Sequence, residues 1–388
     1  MATESAITML NRKRGNIKGQ LKKVICEDNK IFSELQAQLD VISKLQEKFD
    51  VLKEEYYKIV SEKDFEEIEK TLSQIDEDLQ NSEEMIQMTI LKYLKENIVS
   101  QHFMATHKRD ATERFIVRLP IKEGKRSSLG ESKSMAKRRL NFLWNKLDKN
   151  QTMSALYTAF MDEYLALNHM EKVTSNCENC SENYYIPHHA VFQPESISTP
   201  LRVVFDASAK CANGVSLNSL LLNGGTVQQD LFSIVTRFRT HTYVFSTDIT
   251  KMYRQILVEE TDRELQRILW KSSSCSPAEI YRLRTITYGT TCAPYLLTRT
   301  LEALAEEEQE YFPRASAVLL TDVYVDDILS GSKNLGDTIS LQFELINLLN
   351  KGGMQLHKWV SNHPDLLNDN KATEYNFSSD SFRFLQKL

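Results

Sequence analysis

From Leu35 to Leu79, apolar residues recur at alternating spacings of three and four, with one slip, between charged side chains. The positions that follow this spacing are Leu39, Ile42, Leu45, Phe49, Leu52, Tyr56, Ile59, Phe65, Ile68, Leu72, Ile75 and Leu79. This is the spacing of a heptad repeat and it predicts amphipathic helices. Ser61-Glu62-Lys63-Asp64 has the pattern of a capping box, so a second helix is expected to begin there. Neither glycine nor proline occurs in residues 30–98, which favours a helical hairpin or coiled coil. A helix pair packed within the chain and a surface for self-association both fit this pattern.

The pattern changes between residues 96 and 112. Arg114-Phe115-Ile116-Val117-Arg118-Leu119-Pro120 predicts a short strand stopped by proline, residues 132–149 and 152–168 have helical spacing, and Tyr184-Tyr185-Ile186-Pro187 predicts extended backbone. Beyond Leu201, short apolar strands alternate with helical stretches such as residues 293–310 and 338–351. This mixture predicts an α+β fold that follows the helical N-terminal segment.

Two adjacent aspartates stand between apolar residues near the end of this region. Tyr324-Val325-Asp326-Asp327 is preceded by Val318-Leu319-Leu320 and followed by Ile328-Leu329. We expect a β-hairpin whose turn is the aspartate pair. Adjacent carboxylates repel each other unless a cation neutralises them. Hard cations such as Mg²⁺ prefer carboxylate oxygens together with substrate phosphates, so the pair is a candidate nucleotidyl-transfer site.

A third carboxylate ends another predicted strand, Tyr243-Val244-Phe245-Ser246-Thr247-Asp248-Ile249. Asp248 and Asp326 are therefore candidates to hold two metal ions roughly 3.5–4 Å apart. An aspartate pair after a strand also occurs in ordinary Asx-type turns. The pair alone therefore leaves both interpretations open, and the surrounding motifs decide between them.

Composition narrows the class of protein. Hydrophobic residues make up 41% and charged residues 26% of the 388 residues, and no apolar run approaches the roughly 20 residues needed to span a bilayer. The N-terminus lacks the pattern of a secretory signal. We therefore expect no membrane association and a cytoplasmic protein, with particle-associated and nuclear locations left open. In that compartment the six cysteines are expected to be thiols.

Charge is unevenly distributed although the net charge is -5. Basic residues cluster in residues 122–126 and again from Lys133 to Arg139. Such clusters line phosphate-contacting surfaces in some proteins and are simply solvated helix faces in others. The sequence leaves both interpretations open.

From about Phe103 onward, six motifs resemble, in order, those of the reverse transcriptase region of Bel/Pao-type LTR retrotransposons. The motifs are Arg114–Pro120, Tyr184–Val191, Leu201–Ser208, Asp248–Ile256, Tyr288–Tyr295 and Tyr324–Leu329. The N-terminal helices resemble, less specifically, the Gag segment of the same elements. The resemblance implies an RNA-directed DNA polymerase that uses two Mg²⁺ or Mn²⁺ ions, dNTPs and an RNA or DNA template with a primer.

The resemblance also implies roles for individual residues. Asp248, Asp326 and Asp327 match the metal-binding carboxylates, and Tyr253 matches the aromatic residue that excludes a sugar 2′-hydroxyl. Arg202 and Lys358 match residues that contact the triphosphate, the lysine as the donor of a proton to pyrophosphate. Gly289 matches the loop beside the nascent base pair. Tyr253, Arg202 and Gly289 also have plain structural interpretations: a core tyrosine, a solvent-facing arginine and a turn glycine.

The resemblance divides the chain into residues 1–100, a helical Gag-like segment, residues 101–200, fingers and an N-terminal extension, and residues 201–388, fingers and palm. We expect the thumb to be absent or truncated, because the pattern stops inside the primer-grip strand at Phe382–Leu388. Cys177 and Cys180 precede His188 and His189 closely enough for a zinc site to be conceivable, although both histidines belong to the family motif. The alternative function is an inactive Gag-Pol remnant that self-associates or binds nucleic acid.

Overall fold

A computed structural model describes residues 2–25, 32–59, 65–173, 182–195 and 200–367. The chain divides into two compact units, Met1–Ile98 and Val99–Leu388. Each unit has its own hydrophobic core. Within the described ranges, no helix is both long enough and apolar enough to cross a membrane.

The first unit is helical. It contains α1 (Ala2–Ile25), α2 (Phe32–Ile59) and most of α3 (Phe65–Thr106). The predicted apolar positions of α2 and α3 form its core, with Ile42, Tyr56 and Leu72 fully buried. The predicted helices are thus confirmed, and α1, which was not predicted, adds Leu10, Ile17 and Leu21 to the same core. The capping-box residues lie outside the described ranges.

The second unit mixes helices and strands, as predicted. Its helices are α4 (Lys133–Leu147), α5 (Gln151–Ala166), α6 (Leu217–Leu220), α7 (Leu231–Phe238), α8 (Glu260–Arg263), α9 (Ala293–Glu307), α10 (Pro313–Thr321) and α11 (Leu335–Lys351). Its strands are β1 (Lys108–Arg109), β2 (Phe115–Val117), β3 (Met170–Lys172), β4 (His188–Phe192), β5 (Leu201–Phe205), β6 (Tyr243–Ile249), β7 (Leu257–Val258), β8 (Arg267–Trp270), β9 (Glu279–Leu283), β10 (Val323–Tyr324), β11 (Asp327–Ser332) and β12 (Leu356–Ser361).

The described strands form four small sheets. The largest has the order β10-β11-β6-β12, in which every neighbouring pair is antiparallel. The others are β1-β2-β7, β3-β9-β8 and the hairpin β4-β5. In β6, Phe245, Thr247 and Ile249 are buried in alternation with Ser246 and Asp248, because successive side chains of a strand point to opposite faces. Helix α11 packs on β6 and β11. Strand β6 lies between β11 and β12, so Asp248, one residue before the end of β6, has a neighbouring strand on each side.

The apolar run before the aspartate pair differs from the prediction. Val318, Leu319 and Leu320 lie in α10, which has Pro313 in its first turn. The first strand of the hairpin is therefore just the two residues of β10, Val323 and Tyr324. A short apolar run fits a buried helix as well as a strand, and proline at a first helical position favours the helix.

Candidate active site

The hairpin β10–β11 turns at Val325 and Asp326, and Asp327 is the first residue of β11. The prediction that both aspartates form the turn was therefore wrong by one residue. Val325 has a φ of 58°, a left-handed conformation that is rare for a β-branched residue and costs on the order of 1–3 kcal/mol. The Val325 N–H donates to the side-chain oxygen of Gln228 at 2.9 Å, and the Ile249 N–H donates to the Asp326 carbonyl at 2.9 Å. The surrounding structure therefore holds a strained turn in place.

Sheet register brings the three aspartates together. The antiparallel ladder pairs Asp327 with Asp248 directly, and the Ile249–Asp326 hydrogen bond ties the third residue to the same strand end. On the other edge of β6, Asp248 pairs with His357 of β12. Residues far apart in sequence thus meet at one end of the four-stranded sheet, as the proposed chemistry requires.

The carboxylates lie close enough to disturb one another. Burial raises the pKa of Asp326, and the charge of Asp248 adds to that rise. Burial also raises the pKa of Asp327, with further contributions from Asp326 and Asp248. Like charges disfavour ionisation of their neighbours, so negative charge accumulates here beyond what the fold neutralises.

A cation of the chain already neutralises part of this charge. The ammonium of Lys358 donates to Asp248 Oδ2 at 2.7 Å, and His357 Nε2 lies 3.3 Å from the same oxygen. Lys358 has a φ of 53° and falls where the β6–β12 register shifts between His357 and Val360. This irregularity of β12 presents the lysine to Asp248.

The donor set fits a divalent metal ion in chemistry and charge. Hard cations prefer carboxylate oxygens. The pKa values of Asp326 and Asp327 are raised first by burial and then by the neighbouring carboxylates, and a bound cation would oppose both effects. In the part of the chain that the structure describes, no three His, Cys, Asp or Glu side chains are arranged to hold one ion. Asp248 instead pairs with Lys358 through one of its two carboxylate oxygens, Oδ2.

Tyr253 lies within electrostatic range of Asp326. It belongs to a 3-10 helix, Met252–Arg254, that follows β6 after Lys251 at a φ of 46°. Burial raises the pKa of Tyr253, and the charge of Asp326 contributes to the same rise. The ring packs against the hydrophobic core of the unit, so Tyr253 has a packing role and also feels the charge of Asp326.

Gly289 occupies a position that only glycine tolerates. Its φ is 102°, and a Cβ there would overlap the carbonyl oxygen of Phe205. Asn218 secures the same loop: its amide donates to the Gly289 carbonyl at 2.9 Å and its oxygen accepts from the Thr291 N–H at 2.9 Å. The loop is therefore fixed against the end of β5.

Arg202 is the predicted site residue for which the structure shows no contact with the three aspartates. It lies on β5 opposite Val191, with an exposed side chain. No hydrogen bond or ion pair joins its side chain to another residue in the described ranges, including the three aspartates. The middle of its strand is nevertheless anchored to the Gly289 loop, because the Tyr288 hydroxyl donates to the Val203 carbonyl at 2.8 Å.

Several supporting residues were not predicted. Asp322 is buried at the base of the hairpin, where it accepts from Arg237 Nε at 2.6 Å and from the Ser330 hydroxyl at 2.8 Å. Gln228, Asn218 and His357 likewise act through contacts between distant parts of the chain. Nothing in their local sequence indicates these contacts.

The zinc alternative receives no support from His188. This histidine is buried, its Nε2 lies 2.9 Å from the Leu269 carbonyl, and its Nδ1 is hydrogen bonded to the Tyr157 hydroxyl. Both ring nitrogens are therefore engaged within the fold. Cys177 and Cys180 lie outside the described residues, as does the predicted primer-grip strand.

Residues 205–385 match the family model for reverse transcriptase (RNA-dependent DNA polymerase). The matched segment includes Asp248, Tyr253, Gly289, Asp326, Asp327 and Lys358. Arg202 lies just outside it. No curated protein matches the chain.

Two of the solved structures that are similar to the chain come from foamy viral protease-reverse transcriptase. One is the foamy viral protease-reverse transcriptase in complex with an RNA/DNA hybrid, with a TM-score of 0.40, 15% identity, and coverage of 53% of this chain and 23% of that chain. The other is its dRH form in complex with double-stranded DNA, with a TM-score of 0.39, 16% identity, and coverage of 50% of this chain and 29% of that chain. The chain thus spans less than a third of the length of either protein, and the assignment rests on the family match. Residues 205–385, just under half of the chain, are similar to the reverse transcriptase (RNA-dependent DNA polymerase) family.

Proposed function

We propose that this chain catalyses RNA-directed DNA polymerisation. A primer 3′-hydroxyl would attack the α-phosphorus of a dNTP, forming an O–P bond while the bond to pyrophosphate breaks and the hydroxyl proton leaves. The template would be RNA or DNA carrying a primer. One observation carries the proposal: the ladder pairs Asp248 with Asp327 inside the segment that matches reverse transcriptases.

Asp248, Asp326 and Asp327 would hold the two divalent ions, Mg²⁺ or Mn²⁺. When bound, these ions would lower the pKa of the primer 3′-hydroxyl and neutralise negative charge on the pyrophosphate. The strained turn at Val325 fixes where Asp326 is presented, which supports a preorganised site.

Lys358 would act on the leaving group. Its ammonium rests on Asp248 in this structure, and a triphosphate brings more negative charge than one carboxylate does. We propose that Lys358 transfers its hydrogen bond to the triphosphate and donates a proton to an oxygen of the departing pyrophosphate. The contact with Asp248 keeps the lysine within reach of the reacting atoms.

Three further residues would bind and select the substrate. Tyr253 would exclude ribonucleotides sterically through its ring, and the influence of the Asp326 charge on its pKa supports a position near the carboxylates. Gly289 would let backbone approach the nascent base pair, as the lack of a Cβ permits. Arg202 would bridge phosphate oxygens with its planar guanidinium, and its exposed side chain is available for that role.

The proposed type of retroelement and the division into domains rest on the six sequence motifs. We propose a Bel/Pao-type element, with residues 101–200 as fingers and N-terminal extension and residues 201–388 as fingers and palm, and a cytoplasmic location. Residues 1–100 would be Gag-like and self-associating. Exposed Met88, Leu91 and Ile98 on α3 support a contact surface there. A monomer at micromolar concentration in light scattering would contradict self-association.

Primer extension tests the polymerase directly. Purified chain is mixed with an RNA template, a labelled DNA primer, dNTPs and Mg²⁺ or Mn²⁺. We expect extension by the wild type, and loss of at least about 100-fold in Asp326→Asn and Asp327→Asn, since electrostatic terms of this kind are worth about that factor. Asp337→Asn, in the first turn of α11, is the matched control and should extend normally. Equal incorporation by all four proteins, or none by any, would contradict the proposal, and none by any would favour the inactive remnant.

A further inference from the structure

Helix α4 carries many exposed cations outside its buried residues. Its buried residues Ala136, Leu140, Leu143, Trp144 and Leu147 follow one side of the helix. The sequence of α4 contains no acidic residue. Its exposed cations and the one that follows its end are Lys133, Lys137, Arg138, Arg139, Lys146 and Lys149. We call these six residues the α4 basic face.

Ion pairs do not account for the α4 basic face. Most arginines of this unit are held by carboxylates, as Arg126 is by Asp262 at 2.9 Å and Arg282 by Glu264 at 2.7 Å. Within the described ranges, none of the six cations of the α4 basic face forms such a pair. This concentration of positive charge occurs in a chain whose net charge is -5. A partner with spaced negative charges would complement it.

An exposed aromatic ring stands among these cations. Phe142 is 66% exposed and lies on the same side of α4 as Arg138 and Lys146, at spacings of four residues. Aromatic rings that alternate with cations are typical of surfaces that stack bases and hold the intervening phosphates.

A cavity of about 110 Å³ opens beside this ring. Leu143, Met153 and Pro187 give it apolar walls, and Arg139 and Lys146 stand at its side. Asp206 also lines it, so a ligand there needs a hydrogen-bond donor as well as a flat apolar face. The cavity exceeds what one water needs. A nucleobase has the required flat face, the donor edge and an attached phosphate.

We propose that the α4 basic face binds single-stranded nucleic acid. One base would stack on Phe142 at the cavity, while adjoining phosphates contact Arg138, Arg139 and Lys146. This surface is separate from the three aspartates and would hold unpaired template outside the reacting duplex. That placement rests on the proposed polymerase function, whereas the binding itself needs neither metal ion nor catalytic carboxylate.

The test measures the binding of a fluorescent single-stranded oligo(rU) to the whole chain by anisotropy, with EDTA present. Phe142→Ala should weaken binding about fivefold or more, as loss of base stacking does. Arg139→Gln with Lys146→Gln should weaken it further and reduce the slope of log Kd against log salt by about 1.4, the value for two phosphate contacts to a single strand. Circular dichroism melting checks that each variant folds.

Matched control variants remove an exposed aromatic ring or two exposed cations from parts of the chain outside α4. Tyr311→Ala deletes another exposed aromatic, 74% exposed, and Lys333→Gln with Lys351→Gln removes two exposed cations beside α11. Both should bind within about twofold of wild type. If the α4 variants bind like these controls, or if polyglutamate competes as well as RNA does, the inference is wrong. A wild type that extends primers but shows no α4-dependent binding overturns this inference alone, whereas α4-dependent binding without extension overturns only the polymerase.

Discussion

Replacing Gly289 with alanine tests how the candidate site is built. Two separable effects act at this residue: its φ of 102° is disfavoured for any other amino acid, and a Cβ would overlap the Phe205 carbonyl oxygen. Gly214 has a φ of 82°, and a Cβ added there would meet no atom within 4 Å. Gly214→Ala therefore carries the backbone effect without the overlap.

The expected magnitudes differ accordingly. A positive φ costs a non-glycine residue about 1–2 kcal/mol, which is the whole effect expected for Gly214→Ala. Forcing atoms into an occupied space adds about 1–3 kcal/mol, since the Phe205 oxygen belongs to backbone and moves only with β5. We expect Gly289→Ala to lower the free energy of unfolding by about 2–5 kcal/mol.

Urea unfolding followed by tryptophan fluorescence measures this difference. The three tryptophans, Trp144, Trp270 and Trp359, all lie in the second unit, so the fluorescence reports on that unit alone. Gly289→Ala should unfold at distinctly lower urea than Gly214→Ala, with the same dependence on denaturant. Equal midpoints for the two variants would refute the close approach of the Gly289 loop to β5.

Three further predictions concern buried polar groups. Gln228→Leu removes the acceptor of the Val325 N–H, so it should cut primer extension at least tenfold while lowering stability by only about 1–2 kcal/mol; unchanged extension would show that the turn holds without it. Asp322→Asn weakens the contact with Arg237 and should lower the free energy of unfolding by about 1–3 kcal/mol, measured by urea; wild-type stability would contradict this. Burial lowers the pKa of His188 from 6.5 to about 4, so protonation favours the unfolded chain and stability should fall by about 3 kcal/mol as pH drops from 6.5 to 4. Urea midpoints across that range should depend less on pH in His188→Gln, and an equal dependence in both proteins would refute the burial argument.

Local patterns predicted the elements that carry the site. The strand Tyr243–Ile249 has the predicted bounds, because alternation of buried and polar residues is encoded within the strand itself. Helix α4 begins after Ser132, as its apolar spacing indicated. Both predictions were possible because the pattern of apolar and polar residues that defines each element lies within that element's own sequence.

The sequence was less informative where distant segments meet. Helix α1 was not predicted, and it contains Gly15 and Gly19, which weaken helical propensity by about 1 kcal/mol each. The Asp248–Lys358 ion pair depends on a register shift in β12. Gln228 reaches Val325 across the fold. Such contacts have no local pattern, and only the structure reveals them.

The central claim is that Asp248, Asp326 and Asp327 share divalent ions around a dNTP. Electron paramagnetic resonance can count bound Mn²⁺ in a complex with template, a primer that ends in a dideoxynucleotide, and the next dNTP, where no reaction occurs. The account predicts two ions per complex for the wild type, at least one fewer for Asp248→Asn, and no change for Asp337→Asn. An Asp248→Asn protein that retains the full wild-type count would contradict it.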